Sequence, residues 1–180
     1  MSFGYDENNT GIKPITAGEY EVYPTTYAVK LTQATRKPMT VMNYKIRNDV
    51  KQENQGSLLQ YDNFVESEKA QWRFNALTKA TNMYENGHDF GTMENWAEEM
   101  LGKPVRVKVR MRKDNKGNEY PEVSSFRQSK FPNMTEVPTV KSHKEMQQAA
   151  QNITQNMPTP PDPFANGSQP LDISDDDVPF

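Results

Sequence analysis

The sequence predicts a mainly β domain, a five-stranded barrel with a helical insert, followed by a disordered C-terminal tail. Three observations carry this expectation. Five strand-like runs are marked by period-two alternation or by the turns that bound them, and two stretches of helical spacing fall together between the third and fourth runs. Past position 131 the material for a core disappears: 16 of the 18 aromatic residues lie in 1–131, and eight of the 13 prolines lie beyond it. Chain entropy can be offset only by buried aromatic and branched side chains, which the second part lacks. The expected organisation is a domain over 1–131, with 1–17 as a candidate flexible lead, a Pro/Gln/Asn-rich linker over 132–170, and an acidic tip over 171–180.

The first strand places Tyr20 and Val22 on one parity, and Tyr27, Val29 and Leu31 on the other. Alternation cannot switch faces without an extra residue, so a bulge or bend is expected near Pro24-Thr25. The strand is therefore long and changes the core it serves. A second strand is expected over 40–50, with Met42, Tyr44 and Ile46 opposite in facing to Lys45 and Arg47. The turn Glu53-Asn-Gln-Gly56 leads to a third strand over 58–65. Ser67 is placed to cap a helix in which Ala70, Phe74, Leu77, Thr81 and Tyr84 recur at helical spacing. In a second helix Met93, Trp96, Ala97, Met100 and Leu101 form one stripe, ended by Gly102 and Pro104. Strands over 105–113 and 119–128 flank Asp114-Asn-Lys-Gly-Asn118, a strong hairpin turn. Three strands, a helical insert and two strands, with a bent first strand, match the Greek-key barrel called the OB-fold. Other small barrels and α+β sheets share the order. In the tail, the Pro-rich run from Met157 to Phe164 should be extended. Residues 141–156 carry Met146, Ala150 and Ile153 on one side of a weak helix.

Charge divides the same way. The first 131 residues hold 19 basic and 17 acidic groups, a net of +2; the remainder has a net of −5, giving −3 for the chain. The total argues against a nucleic-acid binder, and the distribution reverses that reading. With no cysteine, disulfides, thiolate catalysis and the usual structural zinc sites are excluded. No apolar run approaches the roughly 18 residues of a spanning helix, and the first residues lack the pattern of a secretory signal. A cytoplasmic chain without membrane contact is expected.

On the fourth strand Val105, Val107, Val109 and Met111 face one way, and Arg106, Lys108, Arg110 and Arg112 the other. Like charges about 6–7 Å apart on one strand face repel unless something neutralises them. A nucleic-acid backbone would do so, with release of its counterions driving binding. The alternative is an edge strand that carries cations against aggregation. An all-basic outward face, three-quarters Arg, favours the ligand. Lys45 and Arg47, Lys113, Arg127 and Lys130 extend the strip. Tyr61 and Tyr120 are candidates for stacking on bases, worth about 1–3 kcal/mol each; core packing with the hydroxyl at the rim weighs equally. Tyr20, Trp72, Phe74 and Trp96 are expected in the core.

Signals for catalysis are poor. His88 sits in a turn-like stretch and His143 in the linker. Gly102-Lys103-Pro104 lacks both the preceding glycine and the following Ser/Thr of a phosphate loop. Glu98 and Glu99 point apart on their helix. No cofactor, metal or enzymatic activity is expected.

The chain finishes Leu171-Asp-Ile-Ser-Asp-Asp-Asp-Val-Pro-Phe180: acids, then a terminal Phe able to fill a pocket while its carboxylate and the Asp side chains meet basic groups. Asp175, Asp176, Asp177, Val178, Pro179 and Phe180 resemble the C-terminal tip of bacterial single-stranded DNA-binding proteins, with Val178 where Ile is usual. The folded part is more similar to phage-encoded single-stranded DNA-binding proteins, through Gly18-Glu-Tyr-Glu, Ile46-Arg-Asn-Asp-Val50, Ser67-Glu-Lys-Ala and Leu101-Gly-Lys-Pro-Val-Arg-Val-Lys108. The resemblance implies an OB-fold that coats single strands in phage replication, recombination and repair, with a tip that recruits partner enzymes. The expected function is thus sequence-tolerant, non-enzymatic binding of single-stranded DNA. The contacts would be Lys45, Arg47, Tyr61, Arg106, Lys108, Arg110, Arg112, Lys113, Tyr120 and Arg127. The opposed charges suggest that the tail also competes with DNA for the groove. A recombination mediator or annealing protein, an RNA-binding OB module and a virion protein remain as alternatives, with a nuclease last; a homo-oligomer is left open.

Overall fold

A computed structural model describes residue 11 and residues 13–142. These belong to the first of two units in the chain, Met1–Met146 and Gln147–Phe180. The expectations placed on residues 143–180, including the extended run and the acidic tip, lie outside the described residues.

The described chain is mainly β, with strands β1 (Gly18–Leu31), β2 (Pro38–Ile46), β3 (Leu58–Val65), β4 (Val105–Lys113) and β5 (Glu119–Gln128). Between β3 and β4 lie a single 3-10 turn (Glu68–Ala70) and two short helices, α1 (Gln71–Thr81) and α2 (Met93–Met100). All strand pairs are antiparallel, in the order β3-β2-β1-β4-β5. The long first strand is central because it serves two neighbours. Gly18 to Val22 pair with β4, and Val22 to Leu31 pair with β2, with a register shift between Pro24 and Thr26. This is the expected bulge, and it tolerates a proline because no ladder hydrogen bond is lost there. The carbonyls of Pro24 and Thr25 accept the N–H groups of Gly102 and Lys141, each at 2.8 Å.

Inward residues of the strands meet one stripe of each helix. Val22, Met42, Tyr44, Ile46, Leu59, Phe64, Val105 and Val107 are buried with Phe74, Leu77, Trp96, Ala97 and Met100. The Thr92 hydroxyl caps α2 by accepting from Asn95 N–H at 3.1 Å, and Gly102 takes the left-handed conformation (φ +74°) that ends the element. Ser67 opens the 3-10 turn without a side-chain cap. Trp72 is not in the core; it is 58% exposed, because it lies off the Phe74/Leu77 stripe of α1.

β3 and β5 are the two edges of the sheet, and among the described residues no ladder joins them. The expected closed barrel is therefore not formed by strand pairing, and the described sheet is open. Side chains cross the gap instead. Phe64 of β3 stacks on Phe126 of β5 at 5.9 Å. The Arg73 guanidinium from α1 lies 5.2 Å from the centroid of each ring, pairs with Asp62 of β3, and donates to the Val123 carbonyl of β5 at 3.0 Å. Tyr44 donates to the other Asp62 oxygen at 2.7 Å. Burial raises the Asp62 carboxyl to about 6 against the lowering influence of Arg73.

Two boundaries differ from expectation. β2 stops at Ile46 because Arg47 turns into a buried polar network. The linker does not begin at 132: residues 129–141 form a strap along the outward side of β1. Ser129 and Lys130 bind Glu21, Thr139 N–H donates to the Tyr23 hydroxyl, and Lys141 makes a bridge with Thr26. Polar contacts hold the strap, so its low apolar content gave no sign of order.

Candidate functional site

The expected alternation of burial on β4 holds as far as Val109 and fails at Met111. Val105, Val107 and Val109 are buried, Met111 is at the surface, and Lys108, Arg110 and Arg112 are exposed, with Arg106 partly covered. The cations are not unopposed, however. The register of the sheet brings carboxylates from the neighbouring strands against them. Glu122, opposite Arg110 on β5, accepts from Arg110 Nε at 2.7 Å and from Arg112 at 2.9 Å. Glu19 of β1 meets Arg106 and Arg127, each at 3.3 Å. Lys113 pairs with Glu119 at 3.2 Å. Partial burial pushes Glu122 up, but the bonds from Arg110 and Arg112 outweigh it and its pKa lies below the ordinary value.

Two carboxylates thus each grip two guanidiniums. A guanidinium has five N–H donors in a fixed fork, so each Arg here is oriented by Glu yet keeps donors for another anion. Between the two groups on β4 sits Lys108, exposed and with no ion-pair partner among the described residues. Tyr120, directly across from Arg112, is partly exposed at the end of this face. The surface is pre-organised, net positive, and edged by an aromatic ring.

Tyr61 lies on the same outward side of the sheet, on β3. It is 72% exposed, so core packing is excluded. Its φ is +66°, a conformation rare for a bulky residue and costing about 1–3 kcal/mol. The cause is a register shift: between the pairs Met42–Asp62 and Tyr44–Leu59, β3 has one residue more than β2. The Asn43 side chain accepts the Tyr61 N–H at 3.0 Å and donates to the Thr26 hydroxyl at 2.9 Å, fixing the bulge. A strained backbone presenting an exposed ring is a feature that packing alone does not require.

Two expected contacts fall away. Arg47 is fully buried; its guanidinium pairs with Asp49 through two bonds of 2.8 and 2.7 Å and donates to Phe131 O at 2.6 Å. Those bonds hold the Asp49 carboxyl well below its usual range. Arg47 anchors the strap and cannot meet a ligand. Lys45 is largely covered and bonded to Glu136 at 2.6 Å. The strap therefore lies between the Tyr61 region and the β4–β5 face, which the sequence had joined into one strip.

A cleft of about 830 Å³ lies between α1 and the 82–92 loop, over Phe74, Phe90 and Trp96, and none of the expected contact residues lines it. His88 is there, in ring contact with Tyr84 and Phe90. Among the described residues no group of three or more metal-ligating side chains occurs, and no helix is long and apolar enough to cross a membrane.

A family model described as protein of unknown function (DUF669) matches residues 3–151, and the chain belongs to that family. No curated protein matches it.

Proposed function

We propose that this DUF669 member is a non-enzymatic, sequence-tolerant single-stranded DNA-binding protein, acting in the cytoplasm (that of the host if phage-encoded). We read its sheet as an OB-type barrel whose β3–β5 seam is closed by side chains. The strand order, the bent β1 shared by two neighbours and the helix following β3 support that reading.

One observation carries the proposal: two Glu-gripped arginine pairs flank Lys108, which has no ion-pair partner among the described residues, on one outward face. Arg106, Lys108, Arg110, Arg112 and Arg127 would meet phosphates, with Lys113 at the end of the strip. Oriented guanidiniums favour phosphate oxygens over a bulk counterion. Tyr120 and the strained, exposed Tyr61 are the stacking platforms; base stacking tolerates any sequence because every base has a π-face. The acidic tip over 171–180 would recruit replication, recombination or repair proteins.

The test is titration of the full chain with single-stranded and duplex DNA at two salt concentrations. Single strands should bind more tightly, with log affinity falling against log salt at about −3 to −4 for four to six phosphates. Lys108→Ala should weaken binding to all sequences alike and lower that slope by roughly one. Equal affinity for duplex sinks the proposal, and preference for RNA in direct competition reassigns it. Faster annealing of complementary strands would make the protein an annealing factor rather than a passive coat.

A further inference from the structure

The strap carries its side chains in an unusual arrangement. Phe131 is 51% and Val137 85% exposed, and Val140 also faces solvent, whereas the carboxylate of Glu136 is sheltered. Met134 and Pro138 are only half-buried, so hydrophobic burial does little of the work of seating this segment. Glu136 instead sits in a nest of donors provided by the sheet. One of its oxygens accepts from Lys45 Nζ at 2.6 Å, Asn48 Nδ2 at 2.9 Å and the Tyr23 hydroxyl at 3.4 Å. The other accepts the backbone N–H of Asn48 at 2.7 Å.

An ammonium, an amide, a phenol and a main-chain N–H converging on two oxygens make an anion site, and nothing in that donor set is particular to a carboxylate. The nest opens on the outward face of β1 and β2, between Tyr61 and the β4–β5 cations. We propose that Lys45, Asn48 and Tyr23 form a phosphate-binding subsite which Glu136 fills in the unliganded chain, and that a phosphodiester of a bound strand replaces Glu136 as the strap lifts. The assignment of the phosphate to a strand rests on the proposed function; the anion site itself does not. Between its fixed ends, Phe131 on Arg47 and Lys141 on Thr25, the strap has few buried apolar contacts. Such a stretch opens more readily than the core, which makes a local exchange at Glu136 accessible. Lifting the strap would also join the two regions that it now separates.

Two measurements on the full-length chain test this. In the first, inorganic phosphate is titrated while the backbone amide resonance of Asn48 is followed. Glu136→Ala should give a saturable shift at Asn48, and the unmodified chain a much smaller one; Glu136→Gln serves the same arm should the alanine variant not fold. In the second, affinity for a single-stranded oligonucleotide is compared at low salt. Glu136→Gln should bind about two- to fivefold more tightly, the worth of one partly exposed ion pair no longer competing, and the gain should vanish when Lys45→Gln is added. Lack of any shift at Asn48 in the Glu136 variants overturns the subsite. Unchanged affinity of Glu136→Gln for an oligonucleotide that does bind overturns the exchange. Saturation at Asn48 without oligonucleotide binding by any variant keeps the anion site, assigns it to free phosphate, and removes the strand-binding function instead.

Discussion

Asp62 provides a test of whether burial or an ion pair dominates the seam between β3 and β5. Its carboxyl is buried beside Tyr44 and Arg73, and burial raises it from 3.8 to about 6. Between those values the unfolded chain has released the proton while the folded chain keeps it. The folded state then binds more protons, so stability present at low pH is lost as pH rises through the window. At about 1.4 kcal/mol per pH unit, the loss amounts to about 3 kcal/mol. Asp62→Asn keeps one oxygen to accept from Arg73, sets an amide N–H beside Tyr44 whose hydroxyl can turn to accept from it, and removes the titration. Urea denaturation of both proteins from pH 4 to 7 isolates the contribution, because other carboxylates cancel in the difference. The variant should gain on the unmodified protein by about 3 kcal/mol as pH rises. A change of opposite sign would mean that the attraction of Arg73 exceeds the desolvation of Asp62, and the reasoning would fall.

Other outcomes follow from the same structure. Tyr61→Gly should relieve the left-handed strain and raise stability by about 1 kcal/mol, while weakening single-strand binding roughly 5- to 150-fold through the lost stacking platform; melting and titration should thus move in opposite directions. Arg47→Met leaves Asp49 sheltered and unpaired and should cost about 3–5 kcal/mol in urea denaturation. Trp72→Ala should change stability by no more than about 0.5 kcal/mol, as for a surface position.

The strands were legible because alternation and turn chemistry are both local: β4 lies where its alternation puts it, β3 and β5 where the turns over 53–56 and 114–118 put them, and the parity change in β1 does mark a bulge. What depended on register was not legible. The repulsion along β4 looked unrelieved because Glu19 and Glu122 come from strands whose alignment no single segment specifies. Arg47 shared the parity of an outward residue and yet is buried, since β2 ends just before it and Asp49 and the strap enclose it. Trp72 could have been read better: it stands two residues before Phe74, well off the apolar stripe of its own helix. The order of 132–142 was hidden because composition measures burial, and the strap is held by hydrogen bonds and one ion pair.

The bent first strand also sets an order of events during folding. Its later half pairs with β2, its near neighbour in the chain, but its first residues must wait for β4, and the Thr25 carbonyl at the bulge waits for Lys141. Contacts so distant in sequence carry a loop-closure cost and slow the search. During synthesis a meander of β1, β2 and β3 can form while the edge from Gly18 to Val22 stays unpaired, a template for association with other chains until the last hairpin arrives. The strand that organises the finished sheet is therefore the most vulnerable part of the unfinished one.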